Sequence, residues 1–231
     1  IRVRMLPDLS EYTSSSIYIN NIGLVPVVNV GHLPLDKKEN KILKRVFDIV
    51  FSVLFFLTIG IFIFPLIAFI IKITSRGPIF FKQERWGHGN KKITCYKFRS
   101  MLKNSSDIDH DGKYNQAFKD DPRITLIGRI LRKTNLDELP QFWNVLVGDM
   151  SLVGPRPPLP KEVELYLPDE RQRLLAKPGL TCTWQVSGRS EIDFRGQVRL
   201  DIEYIQSMST LTDIKLLIMT VPAVLLGKGA Y

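Results

Sequence analysis

The sequence predicts a mixed, mainly helical fold with a few short strands, organised around one membrane helix. Three observations predict it. From Ile49 to Ile71, 23 residues pass without a charge. Downstream, apolar residues recur at helical spacing over several segments. Between them, pieces rich in β-branched and aromatic residues are short and bounded by Gly, Pro and Asn.

The apolar run spans roughly 35 Å as helix at ~1.5 Å per residue, enough for a hydrocarbon core of about 30 Å. Gly60 and Pro65 interrupt it, and an interior proline removes a backbone hydrogen bond. Lys37, Lys38, Lys41, Lys44 and Arg45 precede the run. Lys72, Arg76, Lys82 and Arg85 follow it. Lys/Arg excess marks cytoplasmic flanks, and both flanks carry it. A re-entrant helix that bends near Pro65 and returns satisfies this rule; a straight span does not.

The remaining segments follow in order. Residues 1–40 hold the expected strands Ile17–Ile19 and Leu24–Val30 and a charged linker. They read as the tail of an upstream α/β domain, and the chain as the C-terminal part of a longer protein. Residues 41–76 are the membrane unit and 77–231 a cytoplasmic domain. Ile79–Phe81 and Ile93–Tyr96 are expected as a hairpin around Trp86–Asn90. Asn104–Asp121 is polar and loop-like. Helices are expected over Ile124–Arg132, Leu139–Val147 (ended by Gly148), Lys161–Ala176 and Asp193–Gln206, with Leu180–Val186 extended. Leu211–Leu226 is apolar but broken by Asp213, Lys215 and Pro222, which suits an interfacial amphipathic helix.

The net charge of +9 and pI near 9.6 suit anionic lipid or phosphorylated substrates. With a membrane run present, nucleic acid is not needed to explain them. Cys95 and Cys182 match no metal spacing and suit a reducing compartment. His32, His88 and His110 are scattered. Asp107, Asp109 and Asp111 alternate as in a calcium loop, but no Glu closes it. No signal peptide, P-loop or dinucleotide fingerprint is present.

Asp137 and Glu138, in Thr134-Asn-Leu-Asp-Glu-Leu-Pro-Gln141, are the first chemical candidates. Locally they read as a helix start, with Asp137 as N-cap, Glu138 favouring the dipole and Pro140 in the first turn. The same geometry also suits a carboxylate that attacks phosphorus beside one that holds Mg²⁺. Arg132, Arg156 in Gly154-Pro-Arg-Pro157 and Arg189 in Ser187-Gly-Arg-Ser190 offer planar forks for phosphate. Each is equally a solvated surface charge. Trp143 and Trp184 read as core or interface residues. A non-enzymatic basic membrane scaffold that binds anionic lipid is the competing class. It accounts for the charge and the apolar run, but not for Asp-Glu-Leu-Pro or Gly-Pro-Arg-Pro.

Ordered blocks from Leu43 onward carry a resemblance. They include Gly77-Pro-Ile-Phe-Phe-Lys-Gln-Glu-Arg85, Lys97-Phe-Arg-Ser-Met101, Leu131-Arg-Lys-Thr-Asn-Leu-Asp-Glu-Leu-Pro-Gln141, Asn144 to Pro157 and Trp184-Gln-Val-Ser-Gly-Arg189. Together they resemble the bacterial polyprenyl-phosphate sugar-1-phosphate transferases, the monotopic phosphoglycosyl transferases. The resemblance implies transfer of a sugar-1-phosphate from a UDP-sugar to undecaprenyl phosphate, with release of UMP, at the cytoplasmic face of the bacterial inner membrane. This step initiates capsule, exopolysaccharide or O-antigen synthesis. Carried over, Asp137 is the nucleophile, Glu138 the Mg²⁺ ligand, and Arg132, Arg156 and Arg189 are phosphate-site candidates. Pro65 falls at the break of the family's re-entrant helix. Resemblance to the large members favours glucose or galactose and leaves the oligomeric state open, a homo-oligomer included. Cys182 stands where the family usually has glycine. Ser207–Asp213 lacks the usual aromatic residue before its Asp.

Overall fold

The computed structural model of the chain describes residues 17–22, 25–30, 33–103, 105, 118, 121–167, 170–188 and 191–225. Strands β1 (Ile17–Ile22) and β2 (Val25–Val30) pair antiparallel, with Ile17 opposite Val30. Helix α1 (Lys38–Phe55) runs through a π-helical turn at Phe56–Gly60 into α2 (Ile61–Thr74). Together they form 37 residues of helix, long and apolar enough to cross a membrane by length and composition. Pro65 lies inside α2, one turn after the π turn. Its ring opposes the carbonyl four residues earlier, Ile61, so irregular geometry collects on the N-terminal side. The Phe56 and Phe64 rings lie 5.6 Å apart, whereas eight residues of straight helix advance about 12 Å.

Twelve large apolar residues from Ile49 to Ile73 are exposed, Phe62 at 76% and Phe69 at 64% among them. A continuous apolar surface of this size along one helix suits a lipid or protein partner.

The two ends of this helix are packed on the polar half of the chain. From α1, the Arg45 guanidinium donates to the Val145 and Leu146 carbonyls at 2.6 and 2.7 Å. Asp48 accepts from Ser151 Oγ and the Leu152 N–H. Lys44 meets Asp213 at 2.6 Å and the Val153 carbonyl at 3.0 Å. Two of the flank cations counted above, Lys44 and Arg45, are therefore engaged inside the fold. From α2, Ile67 and Ile71 pack with Phe98 and Leu131, and Arg99 donates to the Ser75 and Arg76 carbonyls.

The expected hairpin forms, longer than its apolar centres suggest. β3 (Phe80–Trp86) pairs antiparallel with β4 (Lys92–Phe98), and Phe81 lies opposite Lys97. Helix α3 (Leu126–Lys133) is capped by Thr125, whose hydroxyl accepts the Gly128 N–H at 3.0 Å. A side chain on Gly128 would collide with the Ser100 backbone, so glycine sets how closely α3 approaches. Helix α4 (Gln141–Val147) ends at Gly148, whose φ of 98° is left-handed, as the sequence predicts.

Beyond it, β5 (Ser151–Val153) pairs parallel with β6 (Gly179–Thr181). The helix expected over Lys161–Ala176 is instead two short pieces, α5 (Pro160–Glu164) and a 3₁₀ turn at Glu170–Leu175. Pro168 in that sequence disfavours helical backbone at Leu167, whose N–H goes to the Glu170 carboxylate. The extended stretch expected over Leu180–Val186 ends at Thr181, and α6 (Thr183–Ser187) follows. Helices α7 (Phe194–Ser207, capped by Asp193) and α8 (Thr210–Leu225) match expectation. The main core gathers Val145, Met150, Leu152, Val153, Tyr204 and Ile205 from α4, β5 and α7. Arg189, His110 and the Asp107–Asp111 alternation lie outside the described residues.

Candidate active site

The site is built at the seam between β4 and α4. Asn144 is fully buried. Its side-chain oxygen accepts the Tyr96 N–H at 3.1 Å and its amide donates to the Thr94 carbonyl at 2.7 Å. One side chain thus satisfies a strand edge as a neighbouring strand would, and fixes α4 against β4. That register sets Lys97 of β4 beside the turn that leads into α4.

The turn is Leu136–Glu138, a 3₁₀ turn entered through Asn135 in the left-handed conformation (φ 54°, ψ 17°). Asn tolerates that region better than most residues. Asp137 does not cap α4: the N-cap position is Pro140, and no side chain caps it. The N–H groups of Glu138, Leu139, Phe142 and Trp143 are taken by backbone carbonyls three residues back. The capping reading of Asp137 is thereby replaced, because the Glu138 and Leu139 N–H groups that a cap at Asp137 would serve are already paired.

Asp137 is 8% exposed. Burial pushes its carboxyl well above the usual range, and Glu138 adds to this, against the pull of Lys97 and Arg132. Glu138 goes the other way. Burial would raise it, but Lys97, Arg156 and Arg85 together hold it well below the usual range. Lys97 Nζ meets Glu138 Oε1 at 2.5 Å. Adjacent carboxylates whose environments push their pKa values apart mark two different chemical roles.

Glu138 lines a small open cleft with Arg85, Lys97, Gln141, Arg156 and Gln185. Asp137 is not part of that lining. Arg132 is anchored elsewhere: its Nε donates to Ser100 Oγ at 2.9 Å, on the Asp137 side of the turn. The structure therefore joins Arg156 to Glu138 and Arg132 to Asp137.

Sequence reasoning counted Lys97 and Arg85 only among the basic residues after the apolar run, and gave no role to Gln141 or Gln185. Lys97 and Arg85 lie in blocks already singled out, so the signal was a cation within a motif. What was missing was the strand register that aims Lys97. Arg85 is buried, donates to the Pro157 carbonyl at 3.0 Å and so holds the Pro-rich segment that carries Arg156. Cys95 also lines the cleft, but burial lifts its thiol to about 11, so it stays protonated. Cys182 is buried in extended backbone before α6 and does not line the cleft.

Residues 39–227 match the family described as bacterial sugar transferase. The chain is 40% identical over 230 residues to the undecaprenyl-phosphate galactose phosphotransferase of Salmonella typhimurium, covering 94% of this chain and 47% of that protein. It is 38% identical over 237 residues to the UDP-glucose:undecaprenyl-phosphate glucose-1-phosphate transferase of Escherichia coli, covering 99% and 50%. To the exopolysaccharide production protein ExoY of Sinorhizobium fredii it is 36% identical over 199 residues, covering 81% and 88%. The chain spans about half the length of the first two. With its carboxylate pair and cationic cleft inside the matched region, the chain belongs to the bacterial sugar transferase family.

Proposed function

We propose that the chain transfers a sugar-1-phosphate from a UDP-sugar to undecaprenyl phosphate, releases UMP, and does so through a covalent phosphosugar on Asp137. The observation that carries this reading is the split carboxylate pair in a turn ringed by Lys97, Arg85, Arg132 and Arg156. A scaffold for anionic lipid has no use for a buried carboxylate pair of that kind. The names of the Salmonella and Escherichia relatives supply the lipid acceptor, and galactose and glucose as the sugars to test first.

Two balanced steps follow. An Asp137 carboxylate oxygen attacks the sugar-bearing phosphorus of the donor. The bond to the UMP oxygen breaks, its electron pair leaves with UMP, and an acyl phosphate forms. A phosphate oxygen of the acceptor lipid then attacks the same phosphorus. The Asp137–phosphorus bond breaks, the carboxylate is regenerated and a lipid diphosphosugar leaves. Burial leaves the Asp137 oxygen poorly solvated and more basic than an ordinary carboxylate, yet ionised at neutral pH. Arg156, Arg85 and Lys97 hold the donor diphosphate on the cleft side, while Arg132 steadies the Asp137 carboxylate.

Among the described residues, no three His, Cys, Asp or Glu side chains gather as a metal site. That fits Mg²⁺, which takes one or two carboxylates and completes its shell with water and substrate phosphates. Glu138, kept ionised in the cleft, would hold it. When bound, Mg²⁺ neutralises charge that builds on the diphosphate.

We read the exposed α1–α2 surface as a membrane anchor that would set the turn beside a bilayer. We read the helix as re-entrant: its two ends pack on one domain, and the π turn and Pro65 supply a bend. The site then faces the cytoplasmic leaflet of the inner membrane, where donor and lipid phosphate meet. The test is UMP release by purified protein given undecaprenyl phosphate and a panel of UDP-sugars. The reading expects Mg²⁺-dependent release with one of the panel, abolished by EDTA. No release across the panel, with the protein folded, would overturn it.

A further inference from the structure

Trp184 reads from sequence as a core residue, and it is buried, at 7% exposure. Its indole face does more than fill space. The Arg156 guanidinium lies over the ring, 5.7 Å from its centre. Arg156 lines the cleft with Glu138. Behind the pair sits Asp201 of α7, wholly buried. Its Oδ2 accepts from Arg173 Nε and Nη2 at 2.7 and 2.6 Å, and Arg173 Nη1 donates to the Tyr166 hydroxyl at 2.6 Å. The Arg156 main chain and the Trp184 indole both act on this carboxylate electrostatically, although the indole N–H and Asp201 Oδ1 make no hydrogen bond. Arg173 fixes Asp201 in turn.

We propose that Trp184 is the positioning residue for Arg156: its indole is a platform, backed by buried Asp201, that holds the guanidinium flat along the cleft wall to meet the diphosphate of the donor. An arginine over an aromatic face keeps its fork presented without a carboxylate partner that would neutralise it. It also loses less rotamer freedom when an anion binds, because the stacked orientation is already selected. This rests on the function proposed above, deepens its donor site, and adds a residue that does not itself touch substrate.

The test is UMP release with undecaprenyl phosphate saturating and the donor varied, measured as a KM-against-kcat split. Trp184→Leu is expected to raise the donor KM about tenfold, within the range of a desolvated cation–π contact, with kcat within about twofold. Trp184→Phe, which keeps an aromatic face, restores most of the loss. In an Arg156→Ala background, itself impaired, Trp184→Leu adds nothing further, because the two act as one unit. A graded fluorotryptophan series at position 184 keeps the shape while draining the ring face, and covers the case in which the leucine variant fails to fold. The donor KM should climb with each fluorine. If KM ignores fluorination, or if Trp184→Leu costs the same with and without Arg156, the positioning role is wrong while the transferase reading stands. If Arg156→Ala leaves donor turnover unchanged, this inference and the assignment of Arg156 to the donor site both fall.

Discussion

Burial raises the Asp137 pKa from 3.8 to about 6, with Glu138 contributing. Two consequences follow at this one residue. The nucleophile must be ionised, so kcat/KM for UMP release with the donor varied should fall as pH drops through about 6, and a pH profile of the free enzyme reads this directly. The folded protein also holds an ionised group that the unfolded chain would hold more cheaply. That penalty is full above about pH 6 and absent below about pH 4, where both states are protonated. Asp137→Asn should therefore lose about a thousandfold or more in turnover yet be more stable at pH 7.5, by about 1–3 kcal/mol. Thermal melts should show the gain shrinking as pH falls through that window. A variant less stable than the parent at pH 7.5 would contradict the raised pKa.

The elements divide by how local their causes are. Helices α3 and α7 were legible from their amphipathic spacing, and Thr125 and Asp193 cap them in the fold. The end of α4 was legible because Gly148 stops it. The dyad was legible as a motif with two readings for Asp137, cap or nucleophile, and the backbone bonds of the 3₁₀ turn remove the first. Lys97 was illegible because its partner lies 41 residues away and depends on Asn144 stitching two elements together. Lys44 misleads for the same reason. Sequence counts it in a basic flank, whereas the fold buries it against Asp213, whose other oxygen accepts from the Tyr204 hydroxyl at 2.6 Å. Lys44→Met should cost about 3 kcal/mol, because Asp213 is left buried without its counter-charge. Asp213→Asn added to it should recover part of that loss. Lys38→Met, at an exposed position, should leave the melt unchanged. Equal melts for the Lys44 and Lys38 variants would return Lys44 to the lipid-facing flank.

At the scale of the molecule, charge and apolar surface act together. A net charge of +9 and a long exposed apolar helix together suit an anionic bilayer. The apolar run was the most legible feature of the sequence, since length and lack of charge are enough to mark it. Its re-entrant path, read from the basic flanks and Pro65, depends on how both ends pack against the domain and is a matter for labelling. Cysteines introduced at Glu39 and Arg76, one on each flank, separate the two topologies. Cys95 and Cys182 are buried, with thiol pKa values raised by burial, so they stay silent. In sealed inverted vesicles a membrane-impermeant maleimide should label both new sites from outside. Labelling of one alone would mean a straight crossing.

The account turns on a bond between Asp137 and phosphorus. Purified protein incubated with the UDP-sugar it turns over, without acceptor lipid, should release UMP and carry a sugar-phosphate mass on the peptide containing Asp137. The adduct should vanish in Asp137→Asn and discharge when undecaprenyl phosphate is added. UMP release that requires both substrates, with no adduct at Asp137, would contradict it.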